Sequence, residues 1–207
     1  DGTILHILSQ INKPILGINF GGVGFLNELE PDSDILTAID NVIHKKYFEE
    51  KLHRIDTYLN DLNVGTAVNE IVLHTSRVAK IQGFEISTNG KLIDSFRGDG
   101  VIIATPTGST SYSMSIGAPI IYPTMKSNLI VPMAPYKLGS RPLILPANYD
   151  ISAKIKGHPE AVMVIDGKEE IFIKGDDKIE FKASNDPATL IRFSKNFFDR
   201  LRNKLRL

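Results

Sequence analysis

One stretch constrains this chain more than any other: Arg97-Gly98-Asp99-Gly100-Val101-Ile102-Ile103-Ala104-Thr105-Pro106-Thr107-Gly108-Ser109-Thr110-Ser111-Tyr112-Ser113. An acidic turn leads into an uninterrupted apolar run, which reads as a buried strand, and the run ends in a hydroxyl-rich loop that enters a predicted helix. Such a strand holds two polar clusters at its opposite ends. A loop of Thr, Gly and Ser at a helix start offers backbone N–H groups and hydroxyls that suit phosphates, riboses or an adenine edge. The same residues also make an ordinary helix cap and turn. Both readings stand on this segment alone.

The flanking sequence supplies the architecture. Ile4, Leu5, Ile7, Leu8 and Ile11 recur at helical spacing until Asn12-Lys13-Pro14 stops them. Residues 14–19 read as a short apolar strand, broken into a loop by Gly17, Gly21, Gly22 and Gly24. A second helix is predicted from Asp34 to about Lys45, capped by Ser33, with Ile35, Leu36, Ile39, Val42 and Ile43 on its apolar side. From Tyr47 the pattern turns to short strand-like segments carrying Leu52, Ile55, Tyr58, Val68, Ile71, Leu73, Val78, Ile81, Phe84 and Ile86. Asn89-Gly90 predicts a tight hairpin. Further strands are predicted at 100–105, 129–133, 150–156, 160–166, 169–173, 178–183 and 188–193. From Ser194 to Leu207 the spacing is helical again, with Phe197, Phe198, Leu201 and Leu205 opposite a basic face. The layout is an α/β beginning, a long β-rich body and a closing helix, hence an α/β domain followed by a β-rich one.

Composition narrows the function. The 24 basic residues balance the 24 acidic ones, so no overall field gathers nucleic acid or an anionic membrane. With no Cys there is no disulfide framework and no thiolate metal site. No apolar run approaches the roughly 20 residues that span a bilayer, and a cytoplasmic location is expected. The opening Asp-Gly-Thr-Ile-Leu has neither an initiator Met nor a signal-peptide pattern. The expectation is a sequence that begins part-way through a longer protein.

Three smaller features could carry chemistry. Asn69-Glu70 interrupts the apolar run from Ala67 to Leu73. Neighbours on a strand face opposite ways, so the pair acts together only where twist or a strand end lets both reach one cleft. Glu70 can accept from a diol, and Asn69 can donate and accept against a base or ribose. The plainer alternative is one residue facing water and one satisfying a loop. Asp1-Gly2-Thr3 precedes the first helix, where Asp1 is either an N-cap or a base or metal partner for phosphoryl transfer. Gly21-Gly22-Val23-Gly24 by itself is a turn.

Together these segments resemble the NAD kinase family, whose hallmarks are G-G-D-G-T, an N-x-G-x-x-G-F-L loop, an N-E pair and G-D-G-x-x-x-x-T-P-T-G-S-T-x-Y. They stand here as Asp1-Gly2-Thr3, Asn19 to Leu26, Asn69-Glu70 and Gly98 to Tyr112, in order and at matching spacing. Tyr47-Phe48-Glu49-Glu50, Ser140 to Pro146, Asp166-Gly167 and Phe197 to Leu201 extend the likeness over nearly the whole chain. The resemblance implies a Rossmann-like N-terminal domain over 1–46, truncated inside the G-G-D-G-T motif, and a β-rich NAD-binding domain over 47–190. It also implies a C-terminal helix over 191–207 that returns to the first domain.

It implies function as well. The reaction would be phosphorylation of the 2′-hydroxyl of the adenosine ribose of NAD to NADP, by ATP with Mg²⁺ or another divalent cation, or by polyphosphate. Asp1 would be the catalytic base, and Gly2 and Phe25 would border the dinucleotide. Asn69 and Glu70 would bind the adenosine part and a ribose, with Arg97 and Asp99 toward the nicotinamide end. Thr110, Ser111, Tyr112 and Ser115 would line the NAD site, Ala134 would add wall, and Asp166 and Lys168 would belong to the same cleft, from the same or a neighbouring subunit. A homodimer or homotetramer is implied. Three positions depart from the family: Ser111 where Ala is common, Tyr136 where His is, and Lys168 where Gln is. The rival readings are a lipid kinase of the diacylglycerol or sphingosine type, which shares the Asp-Gly-Thr motif, and a non-catalytic NAD(P)-binding module.

Overall fold

The computed structural model describes residues 1–21, 24–77, 79–157, 160–168 and 170–205. Gly22, Val23, Val78, Glu169 and the last two residues of the predicted tail helix lie outside the described residues. The elements begin with α1 (Gly2–Leu8), α2 (Ile35–Ile43), β1 (Phe48–Leu52), β2 (Ile55–Leu59), β3 (Leu62–Ala67), β4 (Glu70–Thr75), β5 (Gln82–Thr88), β6 (Lys91–Gly98) and β7 (Gly100–Ala104). A 3₁₀ turn (Thr107–Thr110) and α3 (Tyr112–Ser115) follow, then β8 (Ser127–Met133), β9 (Leu143–Pro146), β10 (Ile151–Lys156), β11 (Glu160–Ile165), β12 (Glu170–Lys174), β13 (Ile179–Ala183), β14 (Ala188–Arg192) and α4 (Phe197–Leu205). The chain divides into two compact units, Asp1–Leu52 with Asp186–Leu207, and His53–Asn185.

In the first unit, α1 buries Ile4, Leu5 and Leu8, while Ile11 lies past the helix end and is exposed. Residues 14–19 form isolated parallel bridges, Ile15 with Leu190 and Ile18 with Leu29, rather than a full strand. Asp34, not Ser33, caps α2: its backbone is extended and its carboxylate accepts from the Thr37 N–H at 3.1 Å. Ser33 Oγ instead accepts from the Glu30 N–H. Of the helix's apolar side only Ala38 is buried, and Leu36, Ile39 and Ile43 face out.

β1 and β14 pair antiparallel from Phe48↔Arg192 to Leu52↔Ala188, which draws both strands into the first unit and puts its limits at Leu52 and Asp186. Arg192, buried on β14, donates from Nε to Glu50 at 2.7 Å and from Nη1 to Glu28 and the carbonyls of Leu26 and Asn27. From α4, Arg200 reaches the same Glu28 at 3.2 Å and Lys204 reaches Glu30. The basic residues of the tail helix therefore do not form one solvated face. Two of them turn inward to buried or half-buried carboxylates, while Phe198 is exposed.

The second unit is a stack of two six-stranded antiparallel sheets, ordered β3-β2-β13-β10-β5-β6 and β12-β11-β4-β7-β8-β9. Alternate residues of β5, β10, β11 and β13 point inward, so Phe84, Ile86, Ile151, Ile155, Met163 and Phe181 meet between the sheets. The run Val101 to Ala104 is buried on both faces for a specific reason. Val101 and Ile103 enter the inter-sheet core, whereas Ile102 and Ala104 pack with Ala118, Ile121, Leu129, Val131 and Met133 on the other side. The predicted hairpin is present, with Asn89 at φ 47° and Gly90 at φ 75° joining β5 to β6. The predicted helix after Thr105 is shorter than its composition suggests. Ser111, with φ −104° and ψ −133° outside the helical region, separates the 3₁₀ turn from the single turn of α3.

Candidate functional site

The site builds outward from the bend at residues 68–70. β4 starts at Glu70, pairing with β7 through Glu70↔Ala104 and with β11 through Ile71↔Ile165, so the β11–β12 turn begins beside the bend. Asp166 and Gly167 make that turn with φ of 48° and 67°, which Asp and Gly adopt more readily than most residues. The Asp166 N–H donates to the Glu70 carbonyl. Its carboxylate accepts three successive backbone N–H groups: Val68 at 2.8 Å on Oδ2, and Asn69 at 2.8 Å and Glu70 at 3.1 Å on Oδ1. From β7's end, Thr105 Oγ1 donates to the Val68 carbonyl at 2.6 Å and the Thr105 N–H donates to the Asn69 carbonyl. Every backbone polar group of residues 69–70 that faces this corner is thus matched.

The side chains of that bend are not. Asn69 and Glu70 are 8% and 7% exposed, yet Asn69 Oδ1 and Glu70 Oε2 are buried without a hydrogen-bond partner. Thr107 Oγ1, on the 3₁₀ turn, is in the same condition. Native structures leave few buried oxygens unpaired, and sites that take up a polar ligand are one place where they occur. Glu70 Oε1 accepts from Ser111 Oγ at 3.2 Å. Burial, then the Asp166 carboxylate, pushes the Glu70 pKa up to about 7, opposed by the Ser111 hydroxyl and the Tyr112 N–H. Burial also raises Asp166, opposed by its three backbone donors and by Lys168. A cleft of about 710 Å³ runs along the outer face of β4, β11 and β12, lined by Glu70, His74, Tyr112, Val164, Gly167 and Phe172 among others.

The hydroxyl-rich loop plays a more structural part than its composition suggests. Ser109 Oγ donates to the Pro106 carbonyl and accepts from the Ile121 N–H, and Thr110 Oγ1 donates to the Thr107 carbonyl. Ser111 and Tyr112 stand at the cleft, while Ser115 is exposed at the end of α3. Thr107 and His74 were not singled out by sequence. Thr107 lies inside the conspicuous motif, and His74 sits two strand periods from Glu70, on the same face of β4.

Arg97, Asp99 and Ala134 gather elsewhere in the second unit. The Asp99 N–H donates to Met133, the Asp99 carbonyl accepts from the Thr75 N–H, and the Arg97 carbonyl accepts from the Tyr136 N–H. Ala134 has φ 43°. Because His74 pairs with Gly100 and Glu70 with Ala104, this group lies at the other end of β7, about 13 Å along the strand from Glu70. In the first unit, Asp1 heads α1 but makes no side-chain cap bond to it. Its carboxylate accepts instead from the Phe25 and Leu26 N–H groups at 2.7 and 3.0 Å and from Asn27 Nδ2. Gly24 is pressed against this knot, since a Cβ there would meet Asn27 Nδ2 at 2.5 Å and Asp1 Oδ1 at 2.9 Å. Gly2 stands in open space.

An α/β unit with a closing helix and a β-sandwich unit carrying unpaired buried oxygens beside a cleft define a class of two-unit α/β-plus-β proteins with a polar-ligand site, and comparison with known proteins narrows it. Residues 68–193 match the ATP-NAD kinase C-terminal domain and residues 1–47 the ATP-NAD kinase N-terminal domain. The NAD kinase of Methanosarcina acetivorans is 41% identical over 99% of this chain and 75% of its own, and that of Methanothermobacter thermautotrophicus 43% identical over 99% and 73%. An NAD kinase from Archaeoglobus fulgidus, solved in complex with ATP, superposes with a TM-score of 0.86 at 30% identity, covering 100% of this chain and 80% of that one. Yeast NADH kinase complexed with NADH gives 0.89 at 26%, covering 100% and 64%. The chain belongs to the NAD kinase family.

Proposed function

We propose that the protein transfers the γ-phosphoryl group of ATP to the 2′-hydroxyl of the adenosine ribose of NAD, giving NADP and ADP. The observation that carries this reading is the adjacent pair Asn69-Glu70, buried and each with an unpaired oxygen, at the position of the family's N-E motif. Those oxygens suit an adenosine base and a ribose diol, which supply the donors they lack. Ser111 steadies Glu70 from the loop, and Tyr112, Thr110 and Ser115 belong to the same NAD-binding set. Arg97, Asp99 and Ala134, at the far end of β7, serve the nicotinamide end, and Lys168 stands beside the Asp166 turn.

Asp1 is the base. As the ribose oxygen forms its bond to the γ-phosphorus, the 2′-hydroxyl proton passes to the Asp1 carboxylate and the bond to the β-phosphate oxygen breaks. Gly2 and Phe25 flank that group. Phosphoryl transfer asks little covalent work of the protein, so position and charge carry the rate. Among the described residues no three His, Asp or Glu side chains converge. A divalent cation would come with the triphosphate, which supplies oxygen ligands of its own. When bound, it would neutralise the phosphate oxygens. We further propose that polyphosphate serves as an alternative donor, that the protein is a homodimer or homotetramer, and that it works in the cytoplasm. Among the described residues no helix is long and apolar enough to cross a membrane.

The test offers NAD, a diacylglycerol and a sphingoid base separately, with ATP or polyphosphate, and measures NADP or phospholipid formed. NADP formation is the expected result. Phosphorylation of lipid alone, or NAD binding without turnover, overturns the assignment.

A further inference from the structure

We propose that Asp166 is a positioning residue that reaches the substrate only through Asn69 and Glu70: its carboxylate locks the backbone that carries both side chains and sets a second acid beside Glu70. The proposal rests on the NAD-kinase reading of the Asn69-Glu70 pair. Both Asp166 oxygens are occupied by backbone, Oδ1 by the Asn69 and Glu70 N–H groups and Oδ2 by that of Val68. Three convergent N–H donors to one carboxylate form charge-assisted bonds, stronger than neutral ones. The opposite side of the bend is held by Thr105, so the 68–70 backbone is clamped between two elements.

The second half of the proposal follows from what surrounds Glu70. Burial and, after it, the Asp166 carboxylate raise the Glu70 pKa, and Glu70 has Ser111 on one oxygen and no partner on the other. A protonated Glu70 would present that second oxygen as a donor, a deprotonated one as an acceptor. The other charged or titratable groups near this corner, among the described residues, are Lys168 in the turn, Tyr112 at the start of α3, and His74, Arg77 and Glu170 along the cleft.

The experiment measures kcat and KM for NAD, and NAD affinity by calorimetry, from pH 5.5 to 9 for the wild type, Asp166→Asn, Ser111→Ala, Glu70→Gln and the Asp166→Asn/Glu70→Gln double variant. Asn tolerates the left-handed backbone of residue 166, so the variant keeps the turn and loses the charge. We expect KM for NAD to rise about ten- to a hundredfold in Asp166→Asn with a smaller change in kcat. Its pH limb moves down, and that of Ser111→Ala moves up. In the Glu70→Gln background the limb is missing and Asp166→Asn shifts nothing. A limb that stays in Glu70→Gln does not belong to Glu70 and overturns the electrostatic half. An unchanged KM in folded Asp166→Asn overturns the positioning half.

Should Asp166→Asn not fold, the ¹³C carboxyl titration of Glu70 in the wild type and in Ser111→Ala still decides. A wild-type midpoint at the ordinary value of about 4.3, or no upward shift in Ser111→Ala, overturns the electrostatic half of the proposal. A wild type that neither binds nor phosphorylates NAD marks the failure of the NAD reading instead, and the Glu70 titration in wild type against Asp166→Asn then judges the Asp166–Glu70 coupling by itself.

Discussion

Gly108 stands so close to Asn69 that a Cβ on it would lie 2.1 Å from the Asn69 carbonyl oxygen and 2.6 Å from the carbonyl carbon. The contact is with backbone, which cannot swing away as a side chain end can. Gly108→Ala must therefore push the 3₁₀ turn off the 68–70 bend. We predict a loss of at least about 2 kcal/mol in stability, toward the upper part of the overpacking range, together with weaker NAD binding. Urea unfolding and calorimetry check both. Wild-type values in the variant would show that the loop is not seated on Asn69.

Glu70 gives a pH-dependent prediction. The fold raises its pKa from 4.5 to about 7, so the folded protein holds this proton more tightly than the unfolded chain does. The stabilisation tied to that proton is complete below about pH 4.5 and is lost as pH rises through about 7, a change on the order of 3 kcal/mol. Glu70→Gln keeps a neutral side chain at every pH. Thermal unfolding should give matching Tm values for variant and wild type near pH 5 and a higher Tm for the variant near pH 9. Parallel Tm curves would count against the raised pKa.

Arg192 anchors the first unit through Glu28 and Glu50, with both partners' carboxylates at least nine-tenths buried. Arg192→Met leaves those charges without their closest counterion, although Arg200 still reaches Glu28. Removing one partner of a buried ion pair costs about 3–5 kcal/mol, and chemical denaturation of the variant should show a loss of that size. A loss below about 1 kcal/mol would mean that Arg200 takes over the role.

Asp1 accepts from two backbone N–H groups and an amide, yet it is exposed. Asp1→Asn keeps the size of the side chain and one acceptor oxygen while removing the base. Turnover should fall about 10²–10⁴-fold with NAD affinity nearly unchanged. Steady-state kinetics beside calorimetry separates the two, and undiminished turnover would remove Asp1 from the chemistry.

Wherever residues close in sequence set the outcome, the sequence alone determined it. Val101 to Ala104 are apolar without alternation because β7 packs on both faces, and Asn89-Gly90 supplies the positive φ that the β5–β6 turn needs. The Asn69-Glu70 interruption and the Thr-Pro-Thr-Gly-Ser-Thr loop were equally visible as polar breaks in apolar strands. Local patterning could not show that Asp166, 97 residues from Asn69, would bind the bend's N–H groups, or that Asp1 would turn from its own helix to the loop at 25–27. Nor could it show that Arg200 and Lys204 face inward, because a helix's polar side reveals charge but not which carboxylates wait opposite. Periodicity and turn chemistry act over a few residues. Which distant donor meets which buried oxygen is decided only when the sheets close and desolvation makes an unmatched charge costly.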